Sequence, residues 1–510
     1  MGRRDFLLGT ARAAVAVGGV SQLGWLTGCG SSPSPSEPSA GGLDSLASAL
    51  DGRLIRPADH GFRAAGRLFN PRFDATRPQA IAFCASVEDV RRSLAWAREN
   101  EAPLTARSGR HSYAGYSTVD GLVIDVIRMD EIQVDAEAGT ARIGAGAPLI
   151  DVYARLARDG VTIPGGSCPS VGISGLTLGG GFGLSSRKLG LTSDSLRAVD
   201  VVTATGDAVT ADDRQDADLF WACRGGGGGN FGIATAFEFD VHPVHDVAIY
   251  DFQWRWEDAR AVVDAWQDLA PKAPDELFSI VKLAKAAADP ARERPQPVVT
   301  SYGQFFGSES ELEALLEPLA AAGRPVKRTL ERMDFLDAQA YWAGCEGPIE
   351  RCAAQAERLS YKAKSQYVAE PFPGDAIETM IRQVEAWPGS SSSQGGAIQM
   401  DASGGAIAGV PADATAFVHR DDLFHCQYLA FWGNGDSRRV VDSNLDWIAG
   451  FYEEMSRFGS GSAYQNYIDP DLEGWERAYY GSNLERLMEI RARYDPDGVF
   501  DFRQSIPRAA

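Results

Sequence analysis

Cationic residues are scarce in this chain. Its 49 lysines and arginines face 69 aspartates and glutamates, which gives a formal net charge of −20 at pH 7. Because nucleic-acid affinity depends largely on lysine and arginine neutralising phosphates, this charge excludes a nucleic-acid partner. Cysteine is also scarce. Seven cysteines in 510 residues are too few for a disulfide scaffold. The sequence also lacks a CxxC pair, which would have indicated a metal site.

The N-terminus has the pattern of a targeting segment, which is excluded from the fold. Arg3 and Arg4 form a twin-arginine signature, and the apolar stretch that follows, residues 13–26, is short for a membrane span. The next residues resemble a bacterial lipobox that ends at Cys29. We therefore predict a signal over 1–28, twin-arginine export, and membrane contact only through lipidated Cys29. The alternative is a plain cleaved secretion signal and a secreted protein.

A chain of this length is too long for one ordinary core, so we expect two or more domains. Residues 29–52 are rich in serine, proline and glycine and predict a flexible tether. Glycine clusters are frequent over 53–242, whereas aromatic residues become frequent over 243–459. We therefore place a domain boundary near Pro243.

Apolar periodicity predicts a mixture of helices and strands, which is α+β in character. Ser86 is a suitable N-cap for the first helix. The helices are predicted over 87–100, 149–158 and 310–322, and the strands over 122–126, 141–144, 397–400 and 424–431.

Three glycine-rich segments cover residues 107–115, 165–183 and 224–232. None opens a strand-turn-helix unit with an acidic residue some twenty positions later, so the Rossmann fingerprint is missing, and so is a Walker A lysine. Glycine lets backbone N–H groups approach a pyrophosphate closely, and several such loops can surround an extended dinucleotide. The alternative is that each loop is only a tight turn.

Longer motifs give the chain a resemblance to a known family. They are Arg-Ser-Gly-x-His-Ser-Tyr at 107–113, Cys-Pro-Ser-Val-Gly at 168–172, Tyr-Gln-Asn-Tyr at 464–467 and Tyr-Asp-Pro-Asp-Gly-Val-Phe at 494–500. In these motifs the chain resembles flavin oxidases with a vanillyl-alcohol-oxidase-type FAD domain, and among them the berberine-bridge-enzyme-like branch.

The resemblance implies an α+β fold with a two-part FAD-binding domain. Residues 53–242 form its first part, and a C-terminal segment, 460–510, returns to it. Residues 243–459 form a substrate domain with an antiparallel sheet covered by helices. The resemblance also implies FAD bonded to His111 through the flavin 8α-methyl carbon and to Cys168 through ring carbon 6. Two withdrawing substituents raise the reduction potential of the flavin.

The cofactor-binding residues implied by the resemblance lie in the glycine-rich segments and the C-terminal segment. They are Arg107, Ser108, Gly109, Arg110, His111, Ser112, Gly166, Cys168, Gly172, Gly175, Leu176, Gly179, Gly180, Gly181, Phe182, Gly183, Leu184, Gly232, Ile233 and Asn466. Arg110 and Ser174 stand where the family usually has glycine. If Arg110 adopts a positive φ, strain of order 1 to 3 kcal/mol is stored there, or its guanidinium contacts the pyrophosphate.

The resemblance implies Tyr467 as the base that removes a proton from the substrate hydroxyl. Its pKa, ordinarily near 10, then has to be lowered by a neighbour. Tyr113 and Gln427 match positions around this tyrosine, and Gln399 and His425 are expected nearby. Other family members carry a glutamate where this chain has Gln427. The alternative for Tyr467 is an aromatic that fills space between domains.

Val171 matches a position that influences oxygen access, and its small size favours an oxidase that makes hydrogen peroxide. The expected substrate is a small molecule that carries a hydroxyl: a sugar, an oligosaccharide or a secondary metabolite. One alternative is a dehydrogenase that passes electrons to a quinone or carrier. Another is a flavin-carrying protein that binds a ligand without turnover.

Two cysteines, Cys345 and Cys352, either form a disulfide after export or lie two turns apart on one helix, and we favour the helix. Cys84, Cys223 and Cys426 lie in apolar or strand-like contexts and are predicted to be buried thiols.

Overall fold

A computed structural model describes residues 40–287 and 296–509. The predicted signal, Cys29 and most of the predicted tether lie outside the described residues. Within them, every helix is too short or too polar to cross a membrane.

The first sheet of the described residues has four strands in the order β1-β2-β4-β3. Strand β2 and strand β3 both pair in parallel with β4, whereas β1 pairs antiparallel with β2. Ser86 caps α3 as predicted, because its side chain accepts a hydrogen bond from the Asp89 N–H. The elements are β1 (Arg53–Ile55), β2 (Ala80–Phe83), β3 (Leu104–Arg107) and β4 (Leu122–Asp125), with α1 (Ala40–Ala49), α2 (Phe62–Ala65) and α3 (Val87–Glu99).

A second, antiparallel sheet of five strands follows, in the order β5-β6-β10-β8-β9, and two short strands, β7 and β11, pair beside it. Four helices lie between these strands. The strands are β5 (Ile132–Asp135), β6 (Thr140–Gly144), β7 (Val161–Thr162), β8 (Leu196–Val202), β9 (Ala208–Asp212), β10 (Ile233–Asp240) and β11 (His242–Pro243). The helices are α4 (Leu149–Ala157), α5 (Ile173–Leu178), α6 (Ser186–Leu189) and α7 (Ala217–Ala222).

The remaining strands form one antiparallel sheet in the order β15-β12-β14-β13-β17-β18-β16. Its strands are β12 (Asp246–Trp254), β13 (Leu277–Lys285), β14 (Val298–Phe305), β15 (Lys327–Asp334), β16 (Ser360–Val368), β17 (Gly396–Ala402) and β18 (Phe424–Trp432). Its helices are α8 (Ala259–Leu269), α9 (Glu309–Leu315), α10 (Glu317–Ala320), α11 (Phe335–Trp342), α12 (Cys352–Gln355), α13 (Gly374–Glu385) and α14 (Arg438–Ser456).

Helices α8, α13 and α14 cover one face of this seven-stranded sheet. Val281, Met400 and Cys426 point from the strands into a core shared with Trp266 and Phe451 on the helices. Because side chains alternate along a strand, the residues between them point to the opposite face. This face is turned toward the first domain, which contains the four-stranded and five-stranded sheets. The predicted helix over 310–322 is interrupted and becomes α9 and α10, since a proline inside a helix removes a backbone donor.

The C-terminal segment folds back onto the first domain. Helices α15 (Trp475–Tyr480) and α16 (Leu484–Tyr494) pack in the same core as α7. The Tyr480 hydroxyl donates to the Gly226 carbonyl at 3.1 Å, and the Ile506 N–H donates to Asn230 Oδ1 at 2.9 Å. The α+β fold with a two-part first domain and a helix-covered antiparallel sheet is therefore confirmed.

The preferred interpretation of Cys345 and Cys352 is wrong, because the two cysteines form a disulfide with Cα atoms 5.2 Å apart. Helix α11 ends before Cys345, and α12 begins at Cys352. Gly344 and Gly347 between these helices both have positive φ, which turns the chain and brings the two cysteines together. As predicted, Cys84, Cys223 and Cys426 are buried thiols.

Candidate active site

A cavity of about 490 Å³ lies between the glycine loops of the first domain and the uncovered face of the seven-stranded sheet. We call the side formed by the cavity-lining residues within 104–119, 166–184 and 228–234 the loop wall. The side formed by Phe278, Ile280, Gln399 and Asp401 is called the sheet wall. Tyr467 and Asn466 reach the cavity from the C-terminal segment.

Most predicted cofactor-binding residues line this cavity. They are Arg107, Ser108, Gly109, Arg110, His111, Ser112, Gly166, Cys168, Gly172, Gly175, Leu176, Phe182, Gly183, Leu184, Gly232, Ile233 and Asn466, together with Val171 and the predicted catalytic Tyr113 and Tyr467.

Gly179, Gly180 and Gly181 lie outside the cavity lining and join the loop wall to other segments. A Cβ atom on Gly179 would lie 2.0 Å from Asn466 Oδ1, and the Gly181 N–H donates to the Tyr464 hydroxyl at 3.1 Å. These glycines therefore allow the C-terminal segment to approach closely. Sequence reasoning missed Gly228 and Gly229 of the third loop, which do line the cavity, although the run of five glycines was visible.

The loop wall is held together by backbone contacts that only glycine permits. A Cβ atom on Gly109 would lie 2.0 Å from the Gly172 nitrogen, and one on Gly172 would lie 2.5 Å from the Gly109 nitrogen. Ser108 ties this contact to the second sheet, because its hydroxyl donates to the Ala145 carbonyl at 2.7 Å. At Gly175, by contrast, a Cβ atom would meet nothing within 4 Å. The loops thus leave open space along their cavity side, as an extended cofactor such as FAD requires.

His111 has an environment that keeps its imidazole neutral. Its ring stacks on Phe69 with centroids 3.9 Å apart, and its Nε2 lies 2.9 Å from Ser170 Oγ. Burial lowers the pKa of His111 to about 3. Cys168 is exposed to the cavity, and its position inside the cleft raises the pKa of the thiol. At neutral pH the cavity therefore contains an uncharged imidazole and a protonated thiol. Two uncharged groups are compatible with an apolar flavin ring bound beside them.

Arg110, the residue that departs from the family pattern, does adopt a positive φ, of 66°. Its guanidinium Nη2 lies 3.4 Å from Asp125 Oδ2, and the fully buried Arg107 donates to the same oxygen at 2.8 Å. Two arginines thus share one buried carboxylate, which leaves a net positive charge in the loop wall. This charge suits the pyrophosphate of FAD.

The sheet wall carries a connected set of polar side chains. Gln399 is the cross-strand partner of Gln427, and Asp401 is the partner of His425, so all four share one face as expected. The Tyr302 hydroxyl donates to Gln399 Oε1 at 3.0 Å, and Gln399 Nε2 donates to Asp401 Oδ1 at 2.9 Å. His425 Nε2 lies 3.0 Å from Asp401 Oδ2.

The three predicted catalytic residues come together where the two walls meet. Tyr113 stacks on Tyr467 with ring centroids 5.2 Å apart, and Gln427 Nε2 donates to the Tyr113 hydroxyl at 3.0 Å. The His425 ring lies 5.7 Å from that of Tyr467. Sequence reasoning missed Asp401, although its alternation with Gln399 along β17 was a usable signal.

The expectation that a neighbour lowers the pKa of Tyr467 is wrong for the protein alone. Burial raises this pKa well above its ordinary value, and Tyr113 and Asp401 raise it further. The main reason is that burial disfavours the charged phenolate, and the neighbouring phenols and carboxylate oppose a further negative charge.

Two family models match the chain. The FAD binding domain model matches residues 78–212, and the model described as berberine and berberine like matches residues 463–507. The first range contains His111 and Cys168, and the second contains Tyr467.

Known proteins are similar along almost the whole chain. The FAD-linked oxidoreductase YgaK of Bacillus subtilis is 36% identical over 465 residues, which cover 90% of this chain and 97% of YgaK. The monolignol oxidoreductase AtBBE-like 13 of Arabidopsis thaliana is 30% identical and covers 86% of this chain and 83% of its own. The structure of Physcomitrella patens BBE-like 1 matches with a TM-score of 0.83 and 30% identity, over 92% of this chain and 99% of that one.

The fold, the glycine-lined cavity and the tyrosine pair define an FAD-dependent oxidoreductase. The chain belongs to the berberine-bridge-enzyme-like family of FAD-linked oxidoreductases.

Proposed function

We propose that this protein is an oxidase that holds FAD through two covalent bonds and oxidises a hydroxyl group of a sugar, an oligosaccharide or a secondary metabolite. The observation that carries the proposal is the placement of His111 and Cys168 on the loop wall of a cavity that Tyr467 and Tyr113 also line. FAD, when bound, accepts hydride from the carbinol carbon and passes two electrons to O2, which gives a carbonyl product and hydrogen peroxide.

His111 is prepared for bond formation by its neutral state. When Nε2 carries the proton and donates it to Ser170 Oγ, the lone pair resides on Nδ1. His111 through Nδ1 and the exposed Cys168 through its sulfur would hold the flavin, and each bond would require one two-electron oxidation, for which O2 is the proposed oxidant.

Tyr467 is the proposed base. Its phenolate removes the proton of the substrate hydroxyl while the carbon loses hydride. Gln427 positions Tyr113, and Tyr113 positions the Tyr467 ring by stacking. Asp401 and His425, which lie beside this ring, can take the proton onward.

Val171 supports oxygen as the electron acceptor, because this small side chain lines the cavity. The test is anaerobic reduction of the flavin by substrate, followed by addition of oxygen. We expect rapid reoxidation with one hydrogen peroxide per flavin. Slow reoxidation by oxygen and fast reoxidation by a quinone would identify a dehydrogenase instead.

The two covalent bonds are tested by acid denaturation of the purified protein. We expect yellow colour to remain with the unfolded chain, to remain also in His111→Ala and in Cys168→Ala, and to be released from the double variant. Release of free flavin from the unmodified protein would exclude covalent attachment.

We also propose that the protein is exported by the twin-arginine route and anchored through lipidated Cys29. This proposal depends on the N-terminal motifs alone. The test is cell fractionation of the full chain and of Cys29→Ser. We expect the unmodified protein with the membrane and the variant in the soluble exported fraction, whereas the same distribution for both would exclude the anchor.

A further inference from the structure

One polar row on the uncovered face of the seven-stranded sheet extends beyond the cavity. Cross-strand pairing places Thr300, Lys282, Gln399, Gln427 and Ser365 side by side on neighbouring strands. Gln399 lines the cavity, and so does Ile280, two residues before Lys282 on the same face of β13. Lys282 therefore stands directly beside the sheet wall.

The Lys282 ammonium group makes no ion pair or hydrogen bond within residues 40–287 and 296–509. Two buried lysines of the same sheet are paired. Lys362 and Lys364 both donate to Asp469, the second at 2.6 Å. Lys282 is half-buried, so its ammonium is open to an anion bound in the cleft.

The carboxylate that acts on Lys282 is Asp401, which already accepts hydrogen bonds from Gln399 and lies 3.0 Å from His425 Nε2. Burial lowers the pKa of Lys282, and Asp401 opposes this effect. Asp401 thus favours the charged form of Lys282 without forming an ion pair with it, and a bound carboxylate would favour that form further.

The next row of the same face is built from small apolar residues. Ala284, Ala397 and Ala363 occupy this row with Leu429, and the last three form a cluster with Tyr361 at its edge. Ala363, Ala397 and Leu429 are buried and pack with Tyr113 and Phe431, so this row is a closed edge beside the polar row. A substrate that follows the polar row presents one end to Tyr467 and the other to Lys282.

We propose that Lys282 binds a carboxylate of the substrate and so selects acidic substrates for the proposed oxidation. The backbone of Lys282 lies two strand spacings, roughly 10 Å, from that of Gln427, whose side chain donates to the Tyr113 hydroxyl. The substrate class is thus a molecule that carries both a hydroxyl and a carboxylate. This inference depends on the proposed function for the reaction itself but not for binding.

Two matched pairs of compounds test a carboxylate on a sugar and a carboxylate on an aromatic molecule separately. Cellobiouronic acid is compared with cellobiose, and 4-(hydroxymethyl)cinnamic acid with its methyl ester. The variant is Lys282→Gln, and the control is Lys285→Gln on the same strand, because the Lys285 ammonium points elsewhere and donates to the Glu385 carbonyl. The first readout is the rate of anaerobic flavin reduction at several substrate concentrations. It gives the limiting rate of reduction and the apparent Kd of the substrate.

We expect the unmodified enzyme to prefer the acid in at least one pair. Lys282→Gln should reduce this preference at least tenfold through the apparent Kd, because a charge-assisted hydrogen bond is lost. Lys285→Gln should leave the preference unchanged. An equal loss for acid and neutral compound would overturn the proposal, since it would indicate a general role in the cleft. The absence of any preference for acid in the unmodified enzyme would also overturn it.

The second readout is equilibrium binding of the same compounds to the Tyr467→Phe holoenzyme, followed by the flavin absorbance. Here the acid should bind more tightly than its neutral partner, and Lys282→Gln should remove the difference. If the flavin is never reduced but this binding difference is present, the proposed reaction fails and the carboxylate site stands. If reduction occurs without any binding difference, the carboxylate site fails alone.

Discussion

The loop wall and the sheet wall of the cavity are built in different ways. On the loop wall the backbone itself forms the surface, and Gly109 and Gly172 approach so closely that neither accepts a Cβ atom. On the sheet wall, side chains from different strands, such as Asp401 and His425, form the surface. The loop wall therefore tolerates little change in residue type, whereas the sheet wall can change its chemistry without disturbing the fold. We expect variants of the loop wall to lose flavin or stability, and variants on the sheet side to lose turnover alone.

The largest expected effect concerns Tyr467. Tyr467→Phe keeps the ring and its stacking on Tyr113 but removes the acid–base group. We expect the rate of flavin reduction to fall roughly 10²- to 10⁴-fold, with flavin content and thermal stability unchanged. The control is Tyr428→Phe on the helix-covered face of β18, whose buried hydroxyl has no partner among the described residues and should not matter. Loss of flavin from the Tyr467 variant would show that the hydroxyl helps to hold the cofactor and would contradict a role in proton transfer alone.

The same tyrosine predicts a pH dependence. Since burial, Tyr113 and Asp401 raise the pKa of Tyr467, the phenol is protonated at neutral pH, and only its deprotonated form accepts a proton. The rate of flavin reduction should therefore rise with pH, about tenfold per unit, up to the pKa. Tyr467→Phe should lack this slope. A plateau beginning near pH 7 in the unmodified enzyme would mean that the bound flavin or substrate lowers the pKa again.

Next in size is Asp125→Asn at the end of β4, where the carboxylate pairs with the loop-wall residues Arg107 and Arg110. The change leaves Arg107 and Arg110 without their shared buried counter-charge, which should cost about 3 to 5 kcal/mol of unfolding free energy. The surface pair of Arg98 and Asp497 provides the control, because Asp497→Asn should cost under about 1 kcal/mol. Denaturant unfolding of both variants measures the difference, and equal losses would show that the buried pair has no special role.

A smaller loss is expected for Gly109→Ala. The new methyl group would overlap the Gly172 backbone, and separating the two loops should cost about 1 to 3 kcal/mol and reduce the flavin content. Gly450→Ala in α14 meets no atom within 4 Å and should instead stabilise the protein by up to about 1 kcal/mol. Thermal unfolding and the ratio of flavin to protein absorbance test both changes. A Gly109 variant with full flavin content and unchanged stability would show that the loop wall accepts a Cβ atom at this position.

The difference between the walls also explains what could be predicted from sequence. The loop wall consists of continuous segments, so His111 and Cys168 were visible as parts of linear motifs. The sheet wall depends on the register of β13, β17 and β18, which no local pattern fixes. Asp401 and Lys282 were therefore missed, although the strand around Gln399 was predicted. Similarly, the Cys345 disulfide depends on turns at two glycines that helical spacing did not reveal.

The smallest expected effect concerns Arg110, where backbone and side chain can be separated. Its φ of 66° strains any residue with a Cβ atom, and its guanidinium adds only a 3.4 Å contact to a carboxylate that Arg107 already neutralises. Arg110→Gly and Arg110→Ala both remove the guanidinium, but only glycine relieves the strain, so the glycine variant should be more stable by about 1 kcal/mol. Equal melting temperatures for the two variants would show that the backbone at this position relaxes. In that case the departure from the family pattern carries no strain, and the side chain alone accounts for the arginine, through the positive charge it adds beside Asp125.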